Sequence, residues 1–140
     1  MNRSLVRLGF LLFLLALITG FAIPELRIPQ LGVSAHLIAT MGGIALIAVG
    51  LVWPSLRLQD GAKRLLVWMW IVAVYGNWVV TLLSGVLGGS HFMPIASGGS
   101  AATPVQDMLL SGTIVIVSLD AVLATILVLW GLRGRDADEN

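Results

Sequence analysis

Five side chains in this sequence are of types that do chemistry and sit in or beside long apolar runs: His36, Asn77, Thr81, Asp120 and, in a glycine-rich stretch, His91. An imidazole offers a lone pair to a metal or a proton to a substrate, a carboxyl acts as acid, base or polar anchor, and an amide or hydroxyl orients a polar ligand. No Ser-His-Asp order, Walker loop, His-Glu-x-x-His run or paired-carboxylate arrangement is present. With no cysteine, the chain offers no thiolate metal site, disulfide or cysteine nucleophile. An enzyme built from so few groups needs either a simple reaction or a cofactor.

His36 stands in "GVSAHLIATMGG", residues 32–43, surrounded by small side chains. On a helix, residues three, four and seven positions later share its face; here these are Ala39, Thr40 and Gly43. Such a flat wall below an imidazole suits a planar macrocycle ligated through its iron. The line Ala35, Ala39, Gly43 is also the ordinary small-xxx-small device for close helix packing in membranes. Asp120 reads as an acid, base or polar anchor, or as a carboxyl that fixes packing. Asn77, between Tyr75 and Trp78 on either side, reads as an interhelical hydrogen bond or a substrate-orienting amide. His91, in "GGSHFMPIASGG", has no partner at metal-ligand spacing; it is an exposed histidine or part of a lid over the bundle mouth.

The elements that must carry these groups are membrane helices. Of 140 residues, 58% are hydrophobic and 11% charged, against roughly 25% charged in a soluble domain. Four segments reach the ~20 apolar residues that cross a bilayer, at about 5–23, 34–53, 65–87 and 108–132. Punctuation separates them: Pro24 and Pro29, Pro54, Gly88 with Gly89, then Pro104 with Asp107. The expected fold is an all-α, single-domain bundle of four transmembrane helices over 1–140. Arg3 and Arg7 before the first apolar run, with a small-x-small pattern at Gly20 and Ala22, also fit a signal peptide, but the run is long for one.

Seven of the eight Lys and Arg residues lie at the N-terminus, the second connection and the C-terminus. The positive-inside rule places both termini in the cytoplasm and the first and third connections outside. The acidic tail from Asp136 reads as a solvated end, and the scattered basic residues indicate no nucleic-acid partner. Trp53, Trp68, Trp70 and Trp130 read as interfacial belt residues. Counted at about 1.5 Å per residue from the outer ends, His36 lies about 3–5 Å deep, Thr81 about 8 Å, and Gly42, Asn77 and Asp120 about 13 Å or slightly more.

On these residues a family resemblance appears. "AHLIATMGGIALIAVGLVWPSLRL" followed by "AKRLLVWMWIVAVYGNW" resembles the core of the small four-helix membrane family that contains styrene oxide isomerase and hydroxylaminobenzene mutase. The elements that carry the resemblance are Ala35-His36, Gly43, Pro54-Ser55-Leu56, Asp60, Arg64-Leu65-Leu66 and Asn77, with weaker continuity through the fourth helix. The length and the loop "MPIASGG" look more like the mutase branch. The resemblance implies a b-type haem held near protomer interfaces of a homotrimer, with His36 as axial ligand to the iron and Asn77 in the substrate pocket. Gly42 stands where the isomerase branch has an asparagine and Thr81 where it has a tyrosine, which argues against epoxide isomerisation.

The implied activity is conversion of an N-phenylhydroxylamine to a 2-aminophenol in the inner membrane, with ferric haem as Lewis acid and hydrogen bonds from Asn77, Thr81 or Asp120. An epoxide-to-aldehyde isomerase and a non-catalytic haem-binding subunit are the alternatives. A single axial histidine counts against pure electron transfer.

Overall fold

The computed structural model describes residues 1–89, 91, 93–97 and 102–133. The acidic tail and Arg135 lie outside the described residues. Four membrane-length helical spans are present, Arg3–Glu25, Pro29–Ser55, Asp60–Leu87 and Pro104–Gly131, and no strand occurs among the described residues.

The first, second and fourth spans each start on a local device. In α1 (Arg3–Ala22) the Asn2 side chain accepts from the backbone of Ser4 and Leu5 at 3.1 and 3.3 Å, satisfying two of the donors a helix N-terminus leaves unpaired. Pro29 occupies the first turn of α2 (Pro29–Val52), where its missing N–H costs nothing. The expected start at residue 34 is therefore five residues late: a proline read as a stop signal is a start signal. The third span begins with α3 (Asp60–Ile71), passes through a π-helical turn, Val72–Gly76, and continues as α4 (Asn77–Leu87). It closes at Gly88 and Gly89, whose φ of 121° and 92° are open to glycine, with both N–H groups donating to Ser84 O. A short α5 (Pro94–Ser97) lies in the third connection and packs against α2. In α6 (Pro104–Gly131), Thr103 and Gln106 form a reciprocal capping box ahead of Pro104.

The bundle is apolar outside as well as within. Phe10, Met41 and Leu129 are exposed, whereas Thr19, Thr81 and Ser84 are buried. Helices in lipid gain little by hiding leucine, so small residues and close packing hold them together. The α1–α2 seam shows this directly. A Cβ added to Gly9 would lie 2.6 Å from Gly43 O, one on Gly43 would lie 2.7 Å from Gly9 O, and one on Gly50 would meet Val6 at 2.8 Å. On its other side α2 packs against α4, which in turn packs on α6.

Candidate functional site

His36 lies two turns inside α2 rather than at its first turn, because the helix begins at Pro29. The seam with α1 brings the Ala16 carbonyl to 2.7 Å from His36 Nδ1. A carbonyl only accepts, so Nδ1 carries the proton, and in the neutral ring the lone pair sits on Nε2. Gly20 leaves room for the ring; a Cβ there would lie 3.3 Å from Nδ1. The imidazole is half-buried and thus fits one demand of an axial ligand, an oriented nitrogen lone pair. Among the described residues no three or more His, Asp or Glu come together as a metal site, so a metal held purely by side chains finds no cage here.

The wall expected beneath the imidazole is different from the one the spacing drew. Ala39 is fully buried in the core cluster with Leu12 and Leu46. Gly43 is packed onto Gly9 and Phe13 of α1. Both are consumed by helix packing, and only Thr40 remains half-exposed beside His36, its hydroxyl turned back onto His36 O at 2.8 Å. The close-packing reading of the small-residue line therefore holds for Ala39 and Gly43 within one chain.

The polar layer deeper in the bundle is organised by the π-helical turn. Such a turn inserts one extra residue and re-aims the side chains around it. Tyr75 donates to Leu8 O at 2.8 Å, and Trp78 Nε1 donates to Thr19 Oγ1 at 3.2 Å; both latch the third span to α1. Asn77 points elsewhere, into a cleft of about 320 Å³ that it lines with Met41, Gly42, Trp70, Ala73 and Ala121. Thr81 is fully buried and donates to Asn77 Oδ1 at 3.4 Å. It does not line the cleft. With Oδ1 engaged, the amide N–H groups are what Asn77 presents there.

Gly42 lines the same cleft, but a Cβ on it would lie 2.9 Å from Val74 Cβ and 3.4 Å from Leu12 Cδ2. The absent side chain lets α2 meet the π-helical turn. Asp120 is half-buried on α6, with Oδ2 buried and lacking a partner among the described residues; its neighbour Ala121 lines the cleft. Trp70 is not a belt residue. It packs in the core clusters with Val74 and Ala124, lines the cleft, and holds Nε1 buried without a partner among the described residues. Its position was hidden from sequence reading because every tryptophan near a span end looks like a belt residue.

The chain brings Asn77, Thr81 and Gly42 together, but neither Asp120 nor His36 lines their cleft. Six residues separate His36 from Gly42, about 600° of helical rotation, so the two lie on different sides of α2. The imidazole is held against α1 and the cleft opens between α2, the third span and α6.

His91 has partners the spacing did not foretell. Its Nδ1 pairs with Asp107 Oδ2, and its backbone N–H donates to Asp107 Oδ1 at 2.8 Å. Ser111 Oγ lies 3.3 Å from the same Nδ1 and 3.4 Å from Asp107 Oδ1. A hydrolase relay needs the serine on one ring nitrogen and the carboxylate on the other; here both meet Nδ1. The cluster ties the third connection to the first turns of α6.

A chain of four membrane-length helical spans, with one oriented imidazole and a small, mostly apolar cleft holding one amide, defines a membrane protein of few catalytic groups. It belongs to the styrene oxide isomerase family, whose model matches residues 1–133, and is an enzyme of the isomerase class. The chain is 41% identical over 139 residues to hydroxylaminobenzene mutase HabB of Ectopseudomonas oleovorans, covering 99% of this chain and 85% of that protein. It is 37% identical over 108 residues to hydroxylaminobenzene mutase HabA of the same organism, covering 76% and 80% respectively. No solved structure matches it.

Proposed function

We propose that this chain converts an N-phenylhydroxylamine to a 2-aminophenol, as a multi-pass protein of the cytoplasmic membrane with both termini inside. The observation that carries the reading is the cleft: about 320 Å³ of mostly apolar wall with the Asn77 amide in it. A cavity of roughly 150 Å³ already accommodates benzene, so an aromatic ring with one polar substituent fits. The similarity to two named mutases supports the same choice. Against an epoxide substrate stands Gly42: an asparagine-sized side chain there collides with Val74.

In the reaction the N–O bond breaks and a C–O bond forms at the ortho carbon. That carbon loses its proton and the nitrogen gains one, so the formula is unchanged and no reductant is needed. Asn77, oriented by Thr81, donates to the departing oxygen and stabilises the charge that develops on it. Asp120, next in sequence to the cleft-lining Ala121 and with an unmatched oxygen, receives the ortho proton as aromaticity returns. The apolar walls keep bulk water from capturing the ring.

His36 would hold a haem through Nε2, and its iron would supply Lewis acidity toward the N–O oxygen. Because His36 and the cleft occupy different sides of α2, a closed ring of copies sets the His36 flank of one protomer against the cleft flank of the next. A homotrimer, the assembly that the family resemblance implies, would complete the site that one chain leaves divided.

The test is direct. The protein is purified in detergent, its visible spectrum is recorded, and it is incubated with hydroxylaminobenzene and, separately, with styrene oxide. Formation of 2-aminophenol without added reductant, with the oxygen of the substrate retained in oxygen-18-labelled water, supports the mutase. An aldehyde from styrene oxide and no aminophenol selects the epoxide isomerase. Absence of a Soret band in wild-type protein supplied with haem sinks the haem assignment.

A further inference from the structure

A cavity of about 430 Å³ opens where the α2–α3 connection meets the end of α6, lined by Arg57, Leu58, Gln59, Leu127, Trp130 and Arg133. The fold builds it deliberately from distant parts of the chain. The Arg57 N–H donates to Gly131 O at 2.7 Å, and buried Leu56 anchors the connection in the core. Gly131 is required for this approach, since a Cβ there would lie 2.9 Å from Leu58 Cγ. Two arginines far apart in sequence thus border one hollow. The Arg133 guanidinium lies 4.2 Å from the centroid of the Trp130 ring, a cation–π contact that holds it at the helix end.

The hollow sits at the boundary of two membrane spans, Asp60–Leu87 and Pro104–Gly131. Its chemistry is divided. Arg57, Arg133 and the Gln59 amide offer donors to an anion, and guanidinium groups suit phosphate oxygens. Leu58, Leu127 and the Trp130 ring offer apolar surface continuous with the bilayer. Lys63 and Arg64 follow on the first turns of α3, whose first turn also carries Asp60.

We propose that this cavity binds the phosphodiester headgroup of an anionic phospholipid, with Arg57 and Arg133 on the phosphate and the lipid's glycerol and acyl stem along Leu127 and Trp130. A free phosphate shares the anion chemistry but has nothing to place on the apolar side. The proposal is independent of the mutase reading.

The full chain in detergent is mixed with phosphatidylglycerol or phosphatidylcholine, and retained lipid is counted by native mass spectrometry. At about 1 kcal/mol per arginine near a membrane surface, two arginines give a preference for phosphatidylglycerol of about thirtyfold. Arg57→Gln with Arg133→Gln brings the preference to within about threefold, at unchanged helix content by circular dichroism. Arg3→Gln with Arg7→Gln, whose arginines do not line the cavity, retains it. Equal preference in wild type and R57Q/R133Q, or equal loss in R3Q/R7Q, overturns the site. Displacement of bound lipid by excess inorganic phosphate overturns the lipid assignment, and persistence of the lipid supports it.

Discussion

Substituting Gly42 tests whether its missing side chain serves packing or makes room in the cleft. An added Cβ meets Val74 Cβ at 2.9 Å, Val74 Cγ1 at 3.2 Å and Leu12 Cδ2 at 3.4 Å, where carbon atoms prefer about 3.5–4.0 Å. Val74 cannot turn away easily, because its β-branch restricts χ1 and it is held in the π-helical turn. Gly42→Ala is expected to cost about 1–3 kcal/mol, the usual range for overpacking, and Gly42→Asn more. Val74→Ala alone removes two methyl groups from a site only 8% exposed and costs about 1–3 kcal/mol by lost packing. Combined, the two are expected to fall short of additivity by only about 0.5–1 kcal/mol, because Val74→Ala removes the Cγ1 contact at 3.2 Å but leaves Val74 Cβ at 2.9 Å. Thermal unfolding in one detergent, followed by circular dichroism, reads this as melting temperatures lowered by roughly 3–10 °C for the single variants and by somewhat less than the sum in the double one. If Gly42→Asn melts with wild type, or if Val74→Ala makes it worse by the full additive amount, the packing account is wrong and the cleft, not the seam, owns Gly42.

Other outcomes follow from the same geometry. Thr81→Val leaves Asn77 free to rotate and is expected to lower kcat about fivefold to tenfold with little change in KM, whereas Asn77→Ala lowers kcat further, by about 10²-fold or more; equal effects of the two would remove the distinction between orienting and contacting groups. Tyr75→Phe deletes the bond to Leu8 O and should cost about 1 kcal/mol of stability while per-molecule activity stays at wild-type level. Gly20→Val places atoms against the His36 ring, whose Nδ1 lies 3.3 Å from even a bare Cβ. It is expected to weaken haem retention and shift the Soret band while His36 itself remains, and an unchanged spectrum would show that the ring is not held where the α1–α2 seam puts it.

The spans were legible because lipid demands long apolar runs, and the prolines and glycines between them have few other uses. Their ends were not. Asp60, Lys63, Arg64, Pro104 and Asp107 look like loop to any hydropathy criterion, yet the helices extend through them, since a helix does not stop where the hydrocarbon does. The π-helical turn left no mark in the sequence; Val72–Gly76 reads as ordinary apolar helix, and only packing against α1 and α6 reveals the extra residue. Asn77 and Gly42 were found at a common depth by counting rise per residue, and they do share a cleft. Trp70 and the Asp107–His91 pair escaped because their meaning depends on contacts between helices distant in sequence.

The spacing around His36 set two readings against each other, a flat wall for a macrocycle and a seam for close packing. The structure makes the second a condition of the first element of the other. Gly9 and Gly43 let the backbones of α1 and α2 approach until a single Cβ would overlap a carbonyl oxygen, and that approach is what delivers Ala16 O to Nδ1. His36 stands one position past Ala35, about 100° around the helix from it, and so flanks the seam instead of filling it. The small residues thus act on the imidazole through α1, fixing which nitrogen carries the proton and which is left to bind, rather than by lying beneath whatever it binds.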